Sequence, residues 1–145
     1  MDWLQKHKLL IVLGIAAGIY WFNNPAGRFG IVREDLVVYN RIPVAFLDCY
    51  IDPDGKLTLV SDLSEPVNVN YWFDNHFKFN KENSPVPLII GTGFKTEQFK
   101  PGQKFLNRCR QYRFEPKILS SRGAIALFNE LRLQGKKCAL LLKIH

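Results

Sequence analysis

The sequence predicts an α/β fold: a three-layer-like domain with a mixed, partly parallel sheet plus an antiparallel β hairpin, preceded by one N-terminal transmembrane helix. Three observations carry this expectation. An uncharged apolar run stands near the N-terminus, at residues 9–22. Apolar, β-branched runs fill much of residues 28–73. After residue 86, strand and helix patterns alternate with short connections, an order that makes parallel strands joined by right-handed crossovers. The division that follows is an anchor at 1–22, a linker at 23–27 and an α/β domain at 28–145.

Lys6, His7 and Lys8 precede the apolar run. Its 14 residues are short for a span, because about 20 helical residues cross a hydrocarbon core of ~30 Å. The flanks lengthen it. Trp3 lies at one end and Tyr20 and Trp21 at the other, roughly 27 Å apart at a rise of 1.5 Å per residue. Aromatics at both water interfaces and lysines that snorkel toward headgroups suit a membrane helix. A cleaved signal peptide needs small residues at its cleavage site, where this chain has Tyr20, Trp21 and Phe22. The interface set is therefore Trp3, Lys6, Lys8, Tyr20 and Trp21. Gly14 and Gly18, four residues apart, share a face on which a second membrane helix can approach closely. Lys6 and Lys8 on one side and Arg28 and Arg33 on the other leave the orientation nearly undetermined.

Asn23 to Gly27 is rich in chain breakers. Residues 36–39 and 42–50 read as strands. Asp52-Pro53-Asp54-Gly55 has turn chemistry, with Pro fixing one φ and Gly free to take a positive one. Residues 56–60 alternate as the returning strand, so 42–60 reads as a hairpin. Residues 67–73 suggest a further strand, and 74–87 a polar loop. Residues 86–90 then form a short buried strand that ends in Gly91-Thr92-Gly93. Pro101 suits a first helical turn, and Phe105, Leu106, Cys109 and Tyr112 follow helical spacing. Residues 116–119 make a strand. Ser120 or Ser121 caps a helix that buries Ala124, Ile125, Phe128 and Leu131 and stops at Gly135. Residues 137–144 are the last strand.

The 145 residues are 47% hydrophobic and 23% charged, which excludes a disordered or low-complexity chain. The net charge of +7 is unevenly distributed. Residues 1–94 carry 8 basic and 10 acidic side chains, residues 95–145 carry 12 and 3. A basic docking face is expected from Lys104, Arg108, Arg110 and Arg113, suited to anionic lipid or an acidic protein partner. Nucleic acid is not expected, because no exposed aromatics are interleaved with this charge.

Two segments resemble a known family. One is Pro87-Leu88-Ile89-Ile90-Gly91-Thr92-Gly93. The other runs from Ile118 through Ser120-Ser121-Arg122-Gly123-Ala124 and Phe128-Asn129 to Gly135-Lys136-Lys137-Cys138-Ala139. They are similar to the small α/β family that groups the mitochondrial complex I assembly factor three with an adipogenesis-associated protein and many prokaryotic proteins. That family is named after an archaeal prototype from Methanothermobacter. The likeness covers about 40% of the chain, residues 86–144. Ser120-Ser121 stand where the family has Thr, and Phe29-Gly30 and the turn at residues 52–55 are fainter echoes. The resemblance implies a non-enzymatic accessory subunit or assembly factor of an inner-membrane respiratory complex of the complex I type. Its partners would be membrane lipid and the larger complex. Its location would be the mitochondrial inner membrane or a bacterial cytoplasmic membrane.

Chemistry of another kind would use Gly91, Thr92, Gly93, Lys95, Ser120 and Ser121 as an anion pocket, for a small anion or a nucleotide. Gly91 to Gly93 end a strand where α/β sheets bind ligands, and the serines open a helix. The sequence lacks the rest of a G-x-G-x-x-G fingerprint. Gly falls at the wrong place in Asp52-Pro53-Asp54-Gly55 for a calcium loop. His7, His76 and His145 are too scattered for a metal site, and Cys49, Cys109 and Cys138 read as buried hydrophobes. No catalytic residues, no metal and no cofactor are expected.

Overall fold

The computed structural model describes residues 2–61, 63, 83–96 and 99–144. Among them, three helices and eight strands follow in the order α1 (Asp2–Asn23), β1 (Phe29–Arg33), β2 (Leu36–Tyr39), β3 (Ile42–Ala45), β4 (Asp48–Ile51), β5 (Leu57–Val60), β6 (Val86–Gly91), α2 (Gln103–Gln111), β7 (Phe114–Leu119), α3 (Ser121–Leu133) and β8 (Ala139–Leu142). The strand expected at 67–73, most of the loop at 74–87, and His76 and His145 lie outside the described residues.

β1, β2 and β3 form an antiparallel meander. The other five strands form a mixed sheet in the order β5-β4-β8-β6-β7. β8 lies at its centre, antiparallel to β4 and parallel to β6, and β7 is parallel to β6. Going from β6 outward to β7 and then back across to β8 reverses direction, so two right-handed crossovers must put their helices on opposite faces. The core divides accordingly. Leu88, Ile90, Leu141 and Tyr50 pack with Phe105 and Cys109 of α2. Ile89, Leu140, Leu142 and Ile51 pack with Ala124, Ile125 and Phe128 of α3 and with Phe29, Val37 and Tyr39 of the meander. The central strands bury both faces, which explains their unbroken apolar sequences.

The expected hairpin at 42–60 is corrected in its first arm. Residues 42–50 are not one strand. Phe46 takes φ +60°, and the chain leaves the meander at Ala45 and enters the mixed sheet at Asp48. Only β4 and β5 form the hairpin, paired from Asp48↔Val60 to Ile51↔Leu57. Its turn is closed by the Asp52 carboxylate, which accepts from the Asp54 and Lys56 N–H groups at 3.0 and 2.8 Å.

The N-terminal segment is helical, as expected, but no helix among the described residues is long and apolar enough to cross a membrane. The physical reason is the cationic cluster at residues 6–8, after which 14 uncharged residues extend only about 21 Å. The apolar stretch does not fold back onto the domain. Leu9 is 71% exposed, Ile15 58% and Phe22 89%.

Candidate functional site

β6 and β7 are adjacent parallel strands whose following helices lie on opposite faces of the sheet. That arrangement is a topological switch point, where open α/β sheets form ligand crevices beyond the carboxyl ends of the strands. Here the chain closes the crevice itself. The Thr92 N–H and Oγ1 donate to the Leu119 carbonyl at 3.0 and 3.1 Å, and the Ser121 N–H donates to the Gly93 carbonyl at 2.8 Å. The Ser121 hydroxyl is fully buried, accepts from the Gly93 N–H at 3.0 Å and donates to the Lys143 carbonyl at 2.6 Å. Ser120 caps α3 by accepting from the Gly123 N–H at 3.2 Å.

Gly91 has a spatial reason to lack a side chain. A Cβ there would meet Leu142 Cδ1 at 2.6 Å and the Cα and Oγ of Ser121 at 3.0 Å. Four of the six residues of the expected anion pocket (Gly91, Thr92, Gly93 and Ser121) are thus brought together, with the Thr92 donors engaged by the Leu119 carbonyl and Ser121 by Gly93 and the Lys143 carbonyl. Lys95 points elsewhere, to Glu34 at 2.7 Å, and that carboxylate raises its pKa. A shallow cleft of about 480 Å³ lies nearby, lined by Val32, Arg33, Glu34, Asp35, Leu36 and Arg122.

Beneath this edge lies a charged pair that sequence reasoning missed. Lys143 Nζ donates to Asp48 Oδ2 at 3.0 Å, with the two side chains 5% and 1% exposed. Asp48 also accepts from the Leu63 N–H at 2.9 Å and the Ile144 N–H at 2.7 Å. Together with Ser121 these bonds tie β4, β8, the start of α3 and the end of β6 into one buried polar network. Burial raises the pKa of the Cys49, Cys109 and Cys138 thiols, Cys109 to about 12. It does the same to the Tyr39 and Tyr50 phenols. Such thiols are poor nucleophiles. Among the described residues no group of His, Cys, Asp or Glu is placed to hold a metal ion.

Asn129 stood out in the sequence only through its place in the helix motif. Its side chain accepts from the Phe29 N–H at 2.8 Å and donates to the Phe29 carbonyl at 2.9 Å, fastening β1 to α3. Phe29, Tyr39 and Phe128 pack their rings above it at centroid distances of 5.1 to 6.0 Å. The motif residues Gly91, Ser121 and Asn129 therefore have structural duties.

A second place joins α1 to the domain. The Tyr20 hydroxyl donates to the Arg41 carbonyl at 2.9 Å, and the Arg41 guanidinium lies over the Trp21 ring at 3.4 Å. Asn24 is fully buried; its amide donates to the Tyr20 carbonyl and accepts from the Ile31 N–H. At Gly30 a Cβ would collide with the Asn23 carbonyl oxygen and Asn24 Oδ1. The end of α1 is thereby fastened to the meander. Gly14 and Gly18 lie on the exposed part, where a Cβ would meet nothing within 4 Å. Trp3, Lys6 and Lys8 fall in its first two turns.

On α2, Phe105 and Cys109 are buried, and Lys104 and Arg110 are exposed with Arg108 half-buried. Arg113 is exposed just beyond the helix, with φ +61°. The four basic residues thus gather on and beside α2, and Arg110 is steadied by Asn107 Oδ1 at 3.1 Å.

No family model and no curated protein match the sequence. Solved structures do match in fold. A Bartonella henselae protein described as an outer membrane protein is 14% identical, with a TM-score of 0.61 over 84% of this chain and 97% of its own. A Bordetella pertussis protein described as an Mth938-like domain is 13% identical, with a TM-score of 0.61 over 83% and 89%. The protein MT938 is 17% identical, with a TM-score of 0.54 over 81% and 96%. None of the three bears the name of an enzyme. The mixed sheet, its two crossovers and the meander therefore give this chain the α/β fold of the Mth938-like domains.

Proposed function

We propose that the protein is a non-enzymatic, membrane-held accessory or assembly protein of a larger membrane complex. In this reading α1 inserts its apolar stretch into the bilayer beside other membrane helices, and the basic residues of α2 dock on an acidic surface of the same complex. The observation that carries it is α1 itself. Ten large hydrophobic side chains between Leu9 and Phe22 are exposed in a row, far more than a monomer leaves to water. The row has no polar side from residue 9 to 22, so the helix does not suit lying flat on a bilayer surface. Gly14 and Gly18 pack on nothing among the described residues, which leaves their close-approach face for another helix. A stretch shorter than the hydrocarbon core is accommodated by local thinning, by lysine snorkelling and by neighbouring helices. Identifying the complex as a respiratory one of the complex I type, in an inner membrane, rests on the sequence resemblance at 86–144.

Replacing Gly14 and Gly18 with Leu tests this directly. The prediction is that the full chain, extracted in mild detergent, co-migrates with a large complex on a native gel. The double variant should run free while keeping its thermal midpoint. Equal co-migration of the two would refute the packing role, and a chain that runs alone in both forms would refute the accessory role.

A further inference from the structure

We propose that the corner where α1 meets the meander is a binding surface for anionic phospholipid headgroups, formed by Arg28 and Arg41 with Tyr20 and Trp21. The inference rests on the reading of α1 as membrane-embedded and adds a lipid class to it. Four observations carry it. First, the position: Tyr20 and Trp21 end the apolar stretch, so an embedded α1 places this corner at headgroup level, where such aromatics reside.

Second, the charge: Arg28 and Arg41 sit on adjoining turns, linked by the bond from the Asn40 N–H to the Arg28 carbonyl at 3.1 Å, and neither meets a carboxylate among the described residues. Third, the turn. Asn40 and Arg41 form a two-residue loop between β2 and β3, with φ +48° and +68°. The second place of such a turn favours Gly, which takes a positive φ without strain. An arginine there is a costly choice for the backbone, and it sets the guanidinium over the Trp21 ring at 3.4 Å. Fourth, the orphan: Arg41 Nε is buried and has no hydrogen-bond partner among the described residues. A phosphodiester supplies the negative charge that these two guanidinium groups leave unanswered.

The test is flotation of the full chain with vesicles of phosphatidylcholine alone and of phosphatidylcholine mixed with phosphatidylglycerol. Wild type should float with both and partition more strongly into the anionic vesicles. A basic side chain near an anionic surface contributes about fivefold in partition. The Arg28→Gln/Arg41→Gly double variant should therefore bind anionic vesicles about 25-fold more weakly, with flotation on phosphatidylcholine unchanged. Glycine relieves the turn, so the variant's thermal midpoint should not fall. Lys117→Gln/Lys136→Gln removes the same charge elsewhere on the exposed surface and should keep the preference.

An anionic preference that survives in the arginine variant overturns the inference, and so does one lost equally in the lysine control. Equal flotation of wild type on both vesicles also refutes it while leaving the membrane reading standing. Failure to float with either refutes the membrane reading itself.

Discussion

Replacing Asp48 with Ala takes the carboxylate away from three donors at once: the Lys143 ammonium and the N–H groups of Leu63 and Ile144. With the two charged side chains 5% and 1% exposed, water cannot take over the lost contacts. Leaving one member of such a pair uncompensated costs about 3–5 kcal/mol, and each orphaned buried N–H about 1–3 kcal/mol. The total is comparable with the whole stability of an ordinary domain, about 5–15 kcal/mol. Asp48→Ala should therefore be largely unfolded at 37 °C.

Lys143→Met is milder, because Asp48 keeps its two backbone donors. A loss of about 3 kcal/mol lowers the midpoint by roughly 10 °C in a domain of this size. The informative variant is the double one. Asp48→Ala/Lys143→Met no longer buries an ammonium that has lost its carboxylate, so it should be more stable than Asp48→Ala by about 3 kcal/mol. Urea unfolding followed by circular dichroism reads all four proteins. The reasoning is refuted if Asp48→Ala loses under about 1 kcal/mol, or if the double variant is no more stable than Asp48→Ala.

Three further outcomes follow from the same edge of the sheet. Gly91→Ala must push Leu142 and Ser121 apart and should lower stability by about 1–3 kcal/mol, measured by thermal melting. Ser121→Ala orphans the Gly93 N–H and the Lys143 carbonyl, costing about 1–3 kcal/mol, whereas Ser120→Ala loses only a helix cap worth about 1 kcal/mol; equal midpoints for the two would contradict the geometry. With its pKa pushed up to about 12, Cys109 is thiolate in roughly one molecule in 10⁴ at pH 8. Ellman's reagent should accordingly leave all three cysteines unmodified in the folded protein and titrate them after unfolding in guanidinium.

The second half of the fold was legible because its signals are local. Ser120 before Ala124, Ile125 and Phe128 marks a helix start, Gly135 at φ +70° its end, and the short runs at 86–91 and 139–142 are apolar on both faces because both are covered. The first half was harder. Nothing adjacent to Phe46 announces that the chain changes sheets there. The partnership of Asp48 with Lys143 spans 95 residues and leaves no periodic trace, although a lysine inside an otherwise apolar final segment was a usable signal.

The same limit applied to function. Gly91 to Gly93 with Ser120 and Ser121 has the composition of an anion site, and only the hydrogen bonds reveal that Thr92, Gly93, Ser120 and Ser121 already have partners within the chain. The importance of Arg41 was invisible too, because its meaning comes from a positive φ and from Trp21, 20 residues away. α1 was legible as a helix from its composition, while its shortfall as a crossing follows from where Lys6 and Lys8 interrupt it.

The central claim is that α1 holds the folded domain at a membrane. It is tested most directly by fractionating cells that express the full chain and washing the membranes with alkaline carbonate. The account predicts that the protein stays in the membrane pellet after the wash, as embedded chains do. Recovery of the protein in the supernatant, released with proteins bound by surface charge alone, would contradict it.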